Sequence, residues 1–313
     1  MSILPKKVKQ LTNQNFTWVD INFCGKPQME FLKKEFNFHP LDLKDCLPPL
    51  QRPKLLERPD YLFMILQFPV YNRQEQALRA AEIDFFIGKN FIVTVHNNDL
   101  TPVIELFNNC QKNTELKNNL LSTNPATLLY EILHNLIVYC YPILNHINLD
   151  LDEIEKNIFS GQQKTILNNI FNVRRNTINF RKTMQSHKTV IKKLIDRSTN
   201  IFIIDQKIDI YFKNLIEHTK EIWEYLENYK ETIEALYSTN ESMLSNRLNT
   251  IMKTLTIFSV IVFPLTLLAA IFGMNTLGGM PFVDSPFGFW AVVSIMILGT
   301  LIMFSVFKHK KWL

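Results

Sequence analysis

Eight glycines in 313 residues leave little material for phosphate-cradling loops, and none of the signatures built on them occurs. There is no G-x-x-x-x-G-K-[ST], no G-x-G-x-x-G, no G-x-S-x-G and no H-E-x-x-H. Nucleotide binding, dinucleotide redox chemistry, serine hydrolysis and zinc proteolysis all lose their usual marks, so the chain is expected to be neither an enzyme nor the holder of an organic cofactor. Cysteine is as scarce. Cys24, Cys46, Cys110 and Cys140 include no C-x-x-C pair and read as packing residues in a reducing compartment rather than as a disulfide frame. His39, His96, His134, His146, His187 and His218 show no zinc-ligand spacing with a Cys or another His, and are expected to be ordinary surface or core residues. The start, Met1-Ser-Ile-Leu-Pro-Lys-Lys, carries no apolar stretch of signal length, so roughly the first 250 residues are expected to remain in the cytosol.

The most informative absence is charge near the C-terminus. Leu255 to Phe272 and Phe287 to Phe307 contain no Asp, Glu, Lys or Arg. At about 18 and 21 residues, with about 1.5 Å of rise each, both are long enough to cross the ~30 Å hydrocarbon layer as helices. The link between them, Thr276 to Pro286, has no Lys or Arg, whereas Lys253 precedes the first run and Lys308, His309, Lys310 and Lys311 follow the second. The positive-inside rule therefore puts both termini in the cytoplasm. Phe287, Phe289, Trp290 and Trp312 sit at the ends of the second run, where aromatic residues anchor a helix at the lipid–water boundary. A net charge of +5, a charged fraction of 20% and a mean hydropathy of −0.01 average a polar region with two greasy spans. That modest charge does not point to nucleic acid.

Upstream, residues 1–125 mix strand and helix signals and read as a cytosolic α/β domain. Phe16 to Ile21 and Tyr61 to Phe68 are rich in aromatic and branched residues, and Glu82 to Ile87, Gly88-Lys89-Asn90 and Phe91 to His96 read as a β-hairpin. Helices are expected at about 27–36, 40–47 and 99–112. From Ala126 on, the pattern is helical. Residues 126–204 are expected to form antiparallel cytosolic helices, Ala126 to Ser160 and Lys164 to Arg197, reversing at Gly161, with Pro142 kinking the first. Residues 205–274 lack Pro and Gly until Pro264 and read as one long rod whose last part, about 252–274, is the first span. Residues 275–286 form the outer loop, 287–307 the second span and 308–313 a basic tail suited to anionic lipid headgroups. Lys164 to Arg197 is basic and Asp205 to Glu241 acidic, the pattern of two solvated faces that attract each other.

Along the rod, Asn249, Met252, Leu255, Ser259, Phe263, Thr266 and Ala270 recur every three or four residues and share a helical face. Two spans cannot enclose a pore, so a channel needs several copies, each turning this stripe to the lumen. Small and hydroxylated residues equally favour helix packing in lipid.

Gly273-Met274-Asn275 at the end of the first span, the flanking stretch from Asn249, the ending Lys308 to Leu313, and the segments His39-Pro40-Leu41, Asp45-Cys46 and Gln51-Arg52-Pro53-Lys54 together resemble the CorA family of divalent-cation channels. The resemblance runs over nearly the whole chain. It implies a funnel-shaped homopentamer in the inner membrane that carries Mg²⁺, with Co²⁺ or Ni²⁺ as further cargo. By resemblance the first spans line the pore, Gly273, Met274 and Asn275 form the selectivity filter, Met252 and Leu255 the gate, and internal Mg²⁺ acts as regulator. Asn275 is the expected metal-facing residue and Asp45 a regulatory ligand, whereas Asn214 stands where members of the family carry an acidic partner. Gly278-Gly279-Met280-Pro281 in the outer loop is similar instead to the ZntB zinc-transporting branch, which leaves open a Zn²⁺ transporter, with or without proton coupling. A membrane-tethered cytosolic sensor or scaffold is the reading of another class.

Overall fold

The computed structural model describes all residues except 1–4, 14–15, 76, 122–123, 161–162, 197–205, 275–280, 283–284, 311 and 313. The chain divides into two compact units, Met1–Tyr237 and Ser238–Leu313.

The first unit is built on a six-stranded sheet of β1 (Val8–Asn13), β2 (Phe16–Asn22), β3 (Lys54–Glu57), β4 (Tyr61–Asn72), β5 (Ala77–Gly88) and β6 (Phe91–His96), in the spatial order β1-β2-β6-β5-β4-β3. Only β2 and β6 pair in parallel, Trp18 lying beside Ile92; the other neighbours are antiparallel. The expected hairpin is the β5–β6 pair, with Ile87 opposite Ile92.

Both faces of the sheet are covered, which is why β4 and β5 read as nearly unbroken apolar runs. Leu62, Met64, Leu66 and Phe68 of β4 join one core with Ile83, Phe85 and Ile87 of β5. Tyr61, Phe63 and Ile65 turn the other way, to a smaller core with Phe86, as the two-residue strand period requires. Leu32 of α1 (Lys26–Phe36) and Leu43 of α2 (Pro40–Asp45) cover that smaller side. The larger side receives α3 (Thr101–Lys112), α4 (Thr114–Leu120), α5 (Pro125–Val138), α6 (Cys140–Ser160), α7 (Gln163–Met184), α8 (His187–Asp196) and the first part of α9 (Gln206–Phe272).

The helical region is more segmented than its sequence suggests. The expected helix Ala126 to Ser160 breaks at Tyr139 rather than bending at Pro142, because Pro142 has no amide hydrogen to return to the carbonyl four residues earlier. The expected helix Lys164 to Arg197 is likewise two, α7 and α8, parted at Gln185-Ser186; Gly161 lies outside the described residues. α9 runs unbroken for 67 residues, through Pro264. Phe212, Leu215, Ile222, Leu226 and Ile233 are buried along its early turns, one apolar face at helical spacing. Arg181 of α7 pairs with Glu227 of α9, an ion pair between the basic and acidic stretches. All four cysteines are free and buried.

The second unit holds the rest of α9 and α10 (Gly288–His309). Among the described residues, three helical stretches are long and apolar enough to cross a membrane: Pro125–Ile158, Ile208–Phe272 and Gly288–His309. Burial separates them. The apolar window of the first is 44% buried in the protein core, against 6% and 0% for the other two, so only the latter pair leave apolar surface for lipid. Thr250, Thr254, Thr256 and Thr266 each donate their hydroxyl to the carbonyl four residues earlier, which satisfies these hydroxyl hydrogens within the helix.

Candidate functional site

On α9 the stripe expected to line a pore is set out by the helix itself. Asn249, Met252, Leu255, Phe263, Thr266 and Ala270 are exposed in the single chain and Ser259 is half-buried. Neighbouring apolar residues off the stripe, Phe258 and Leu267 among them, are exposed as well, so exposure does not single the stripe out. Met252 and Leu255, one turn apart, present only hydrocarbon and thioether. Thr266 has already given its proton to the Val262 carbonyl, 2.9 Å away. What its hydroxyl has left to offer is oxygen lone pairs. The waters around a hydrated cation point their hydrogens outward, and an acceptor is what such a shell needs.

α9 ends at Phe272. Gly273 still donates its amide to the Ala269 carbonyl at 2.9 Å, and Met274 to that of Ile271 at 3.2 Å; the Met274 side chain is exposed. Asn275 lies outside the described residues. The C-terminal end of a helix leaves carbonyls unpaired and carries partial negative charge. Beside it, Ala269, Phe272 and Gly273 share an apolar cavity of about 420 Å³ with Phe282, Val292 and Met296. The turn into α10 fits only glycine at 288, since a β-carbon there would sit 1.9 Å from the Phe282 carbonyl oxygen.

The candidate in the first unit, Asp45, closes α2. Its Oδ2 receives the Lys54 ammonium at 2.5 Å, with both side chains partly exposed. The two short segments singled out in the sequence, Asp45-Cys46 and Gln51 to Lys54, are therefore brought together, but as an ion pair. Asn214 is exposed on α9. Among the described residues, no group of three or more His, Cys, Asp or Glu is arranged to hold a metal ion.

Around Asp45 the structure assembles charges that the sequence did not mark. Asp42, fully buried, takes two hydrogen bonds from Arg58 at 2.8 and 2.5 Å and one from the Tyr61 hydroxyl at 2.7 Å. Burial opposes its ionisation, yet these bonds outweigh it and hold the carboxyl below its usual range. Glu82 of β5 accepts a hydrogen bond from the Gln51 amide. Burial, with the Asp45 charge nearby, pushes its carboxyl up to about 7. Asp84, two residues on and 2% exposed, is pushed far above the carboxylate range by burial and by Glu82. The available signal was two acids, Glu82 and Asp84, at alternate positions in the apolar part of β5.

The model of the family described as CorA-like Mg²⁺ transporter protein matches residues 13–309. The cobalt/magnesium transport protein CorA of Thermotoga maritima is 26% identical over 299 residues, covering 95% of this chain and 83% of that protein. Among solved structures, the complete CorA magnesium transporter from Methanocaldococcus jannaschii superposes with a TM-score of 0.85 at 20% identity, over 99% of this chain and 95% of that one. The ZntB cytoplasmic domain from Vibrio parahaemolyticus shares the fold less closely, with a TM-score of 0.60 at 14% identity over 76% of this chain and 90% of that one.

Proposed function

The chain belongs to the family of CorA-like Mg²⁺ transporters, and from that premise we propose that this divalent-cation transporter is a homopentameric inner-membrane channel admitting Mg²⁺ down its electrochemical gradient. The observation that carries the reading is the form of α9, an uninterrupted helix whose last five turns bear no charge and which ends at Phe272, with Gly273-Met274-Asn275 next in the sequence.

Five copies are proposed to place Asn249, Met252, Leu255, Ser259, Phe263, Thr266 and Ala270 on the lumen, with both termini in the cytoplasm. Mg²⁺ gives up water reluctantly, so the entrance is best made of oxygens that accept from its hydration shell. The Asn275 side-chain carbonyl and the Gly273 peptide oxygen are such groups, and the converging helix ends add negative potential without a carboxylate that would hold the ion too long. Met252 and Leu255 form an apolar ring that excludes water when narrow. Entry needs no fuel, because a divalent ion moving inward gains about 4.6 kcal/mol per 100 mV. Asp45 is the proposed regulatory ligand for internal Mg²⁺ between neighbouring subunits; its pairing with Lys54 and the amide at Asn214 make that site weaker than two carboxylates.

Purified protein in liposomes tests the reading directly. Asn275→Ala is expected to abolish Mg²⁺ entry while the oligomer stays intact by native mass measurement. Mg²⁺ entry at the wild-type rate would refute the filter assignment. Zn²⁺ entry that requires an imposed pH gradient, with none for Mg²⁺, would replace the channel by the proton-coupled zinc reading.

A further inference from the structure

His134 of α5 and His218 of α9 have no part in the ion path, yet they lie together, ring centroids 6.2 Å apart and planes inclined at 56°. Tyr130 stacks on His134 at 5.5 Å and 19°, and Nδ1 of His134 is buried with no hydrogen-bond partner. Nδ1 of His218 lies 2.8 Å from the Tyr141 hydroxyl, and the same hydroxyl donates to Oε2 of Glu221 at 2.6 Å. A phenol has one proton. Because that proton goes to the carboxylate, Nδ1 of His218 is the donor in the other bond. The neutral ring therefore carries its bare lone pair on Nε2. Ligating histidines are commonly prepared in this way, one ring N–H running to a carboxylate through a relay that fixes the tautomer and raises the basicity of the other nitrogen.

We infer that His134 and His218 form a two-imidazole site for a borderline divalent cation, of the class of Zn²⁺, Co²⁺ or Ni²⁺, with water completing the coordination. An ion at 2.0–2.1 Å from an imidazole nitrogen sits about 3.2 Å from the ring centroid, so two rings that share one tetrahedral ion have centroids about 5.2 Å apart, with about 6.4 Å as the linear limit. The observed separation lies below that limit and about 1 Å above the tetrahedral value, so loading the ion draws the two rings together. Imidazole nitrogen suits these ions and is a poor ligand for Mg²⁺, which prefers oxygen. The site thus distinguishes these ions from Mg²⁺. Held there, an ion fastens α9 to α5. The two histidines are far apart in sequence and follow no motif, so neither could be recognised before the helices were packed.

Calorimetric titration of the full-length protein in detergent with ZnCl₂, in the presence of excess Mg²⁺, reads the site without reference to transport. One Zn²⁺ per chain is expected. His134→Gln and His218→Gln should each weaken binding at least about tenfold, and Tyr141→Phe, which keeps both ligands but removes the relay, by about tenfold. Wild-type affinity in both histidine variants would overturn the proposal. Should those variants fail to fold, X-ray absorption of the Co²⁺-loaded wild type decides: two imidazole nitrogens support the site and an all-oxygen shell overturns it. Asn275→Ala is expected to bind Zn²⁺ at this site like the wild type, so failure of the pore assignment and failure of this site are separately readable.

Discussion

In the unfolded chain Glu82 gives up its proton near pH 4.5; folded, it holds it to about pH 7, because burial and the nearby Asp45 disfavour its charge. Between those values the native state keeps a proton that the unfolded state has released. Stability therefore falls as pH rises through that window and levels off above 7. Glu82→Gln retains an acceptor for the Gln51 amide and removes the ionisation. It is expected to raise stability at pH 8 by on the order of 2 kcal/mol and to change little at pH 4. Thermal unfolding of the full chain in detergent at the two pH values checks this; an equal shift at both would exclude ionisation as the cause. Asp84 shows the same physics further along, a carboxyl whose charge is disfavoured by burial and by the nearby Glu82. Such a residue is visible in the sequence as an acid in an apolar strand, but only the structure shows which charges surround it.

Elements differ in how plainly they announce themselves. β4 and β5 are long and largely apolar, and the last five turns of α9 and nearly all of α10 are too long and too free of charge to be mistaken for loops. β1 is not legible, because in Val8-Lys9-Gln10-Leu11-Thr12-Asn13 only Val8 and Leu11 turn inward. β3, at four residues on the sheet edge, is too short for a period to show. The parallel pairing of β2 with β6 is non-local and leaves no trace in either strand. The break between α7 and α8 has no Pro or Gly to signal it. In the stripe on α9, by contrast, spacing shows a shared helical face but not its use, since the same residue types favour helix packing in lipid, and the proposed gate supports a direct test. If Met252 and Leu255 dewet the closed channel, Met252→Ser or Leu255→Ser should raise Mg²⁺ leak several-fold at high internal Mg²⁺, since a hydroxyl lets water persist in a narrow apolar ring. Fluorescent Mg²⁺ reporters inside liposomes measure it. An unchanged closed state in both variants would remove these residues from the gate.

At the scale of the whole molecule, the proposed sensor and the proposed pore belong to different compact units, and α9 is the element with residues in both. Any response to internal Mg²⁺ has to begin with a change in what holds the first unit's surface. The ion pair of Lys54 with Asp45 is the contact to examine, because an ammonium at 2.5 Å competes with a metal ion for the same carboxylate oxygen. The pair is partly exposed and so worth little to stability, which means that removing Lys54 should alter metal affinity without unfolding the domain. Lys54→Met is expected to free Asp45 and lower the internal Mg²⁺ needed for half-closure several-fold. Asp45→Asn should raise it, an amide being the weaker ligand for a hard cation. The double variant should behave as Asp45→Asn alone, since without the carboxylate the lysine has nothing left to mask. Patch recordings across a series of internal Mg²⁺ concentrations give the three half-closure values. If Lys54→Met leaves closure where it was, while Asp45→Asn shifts it, the lysine does not guard the site. If neither moves it, the sensing role proposed for Asp45 fails.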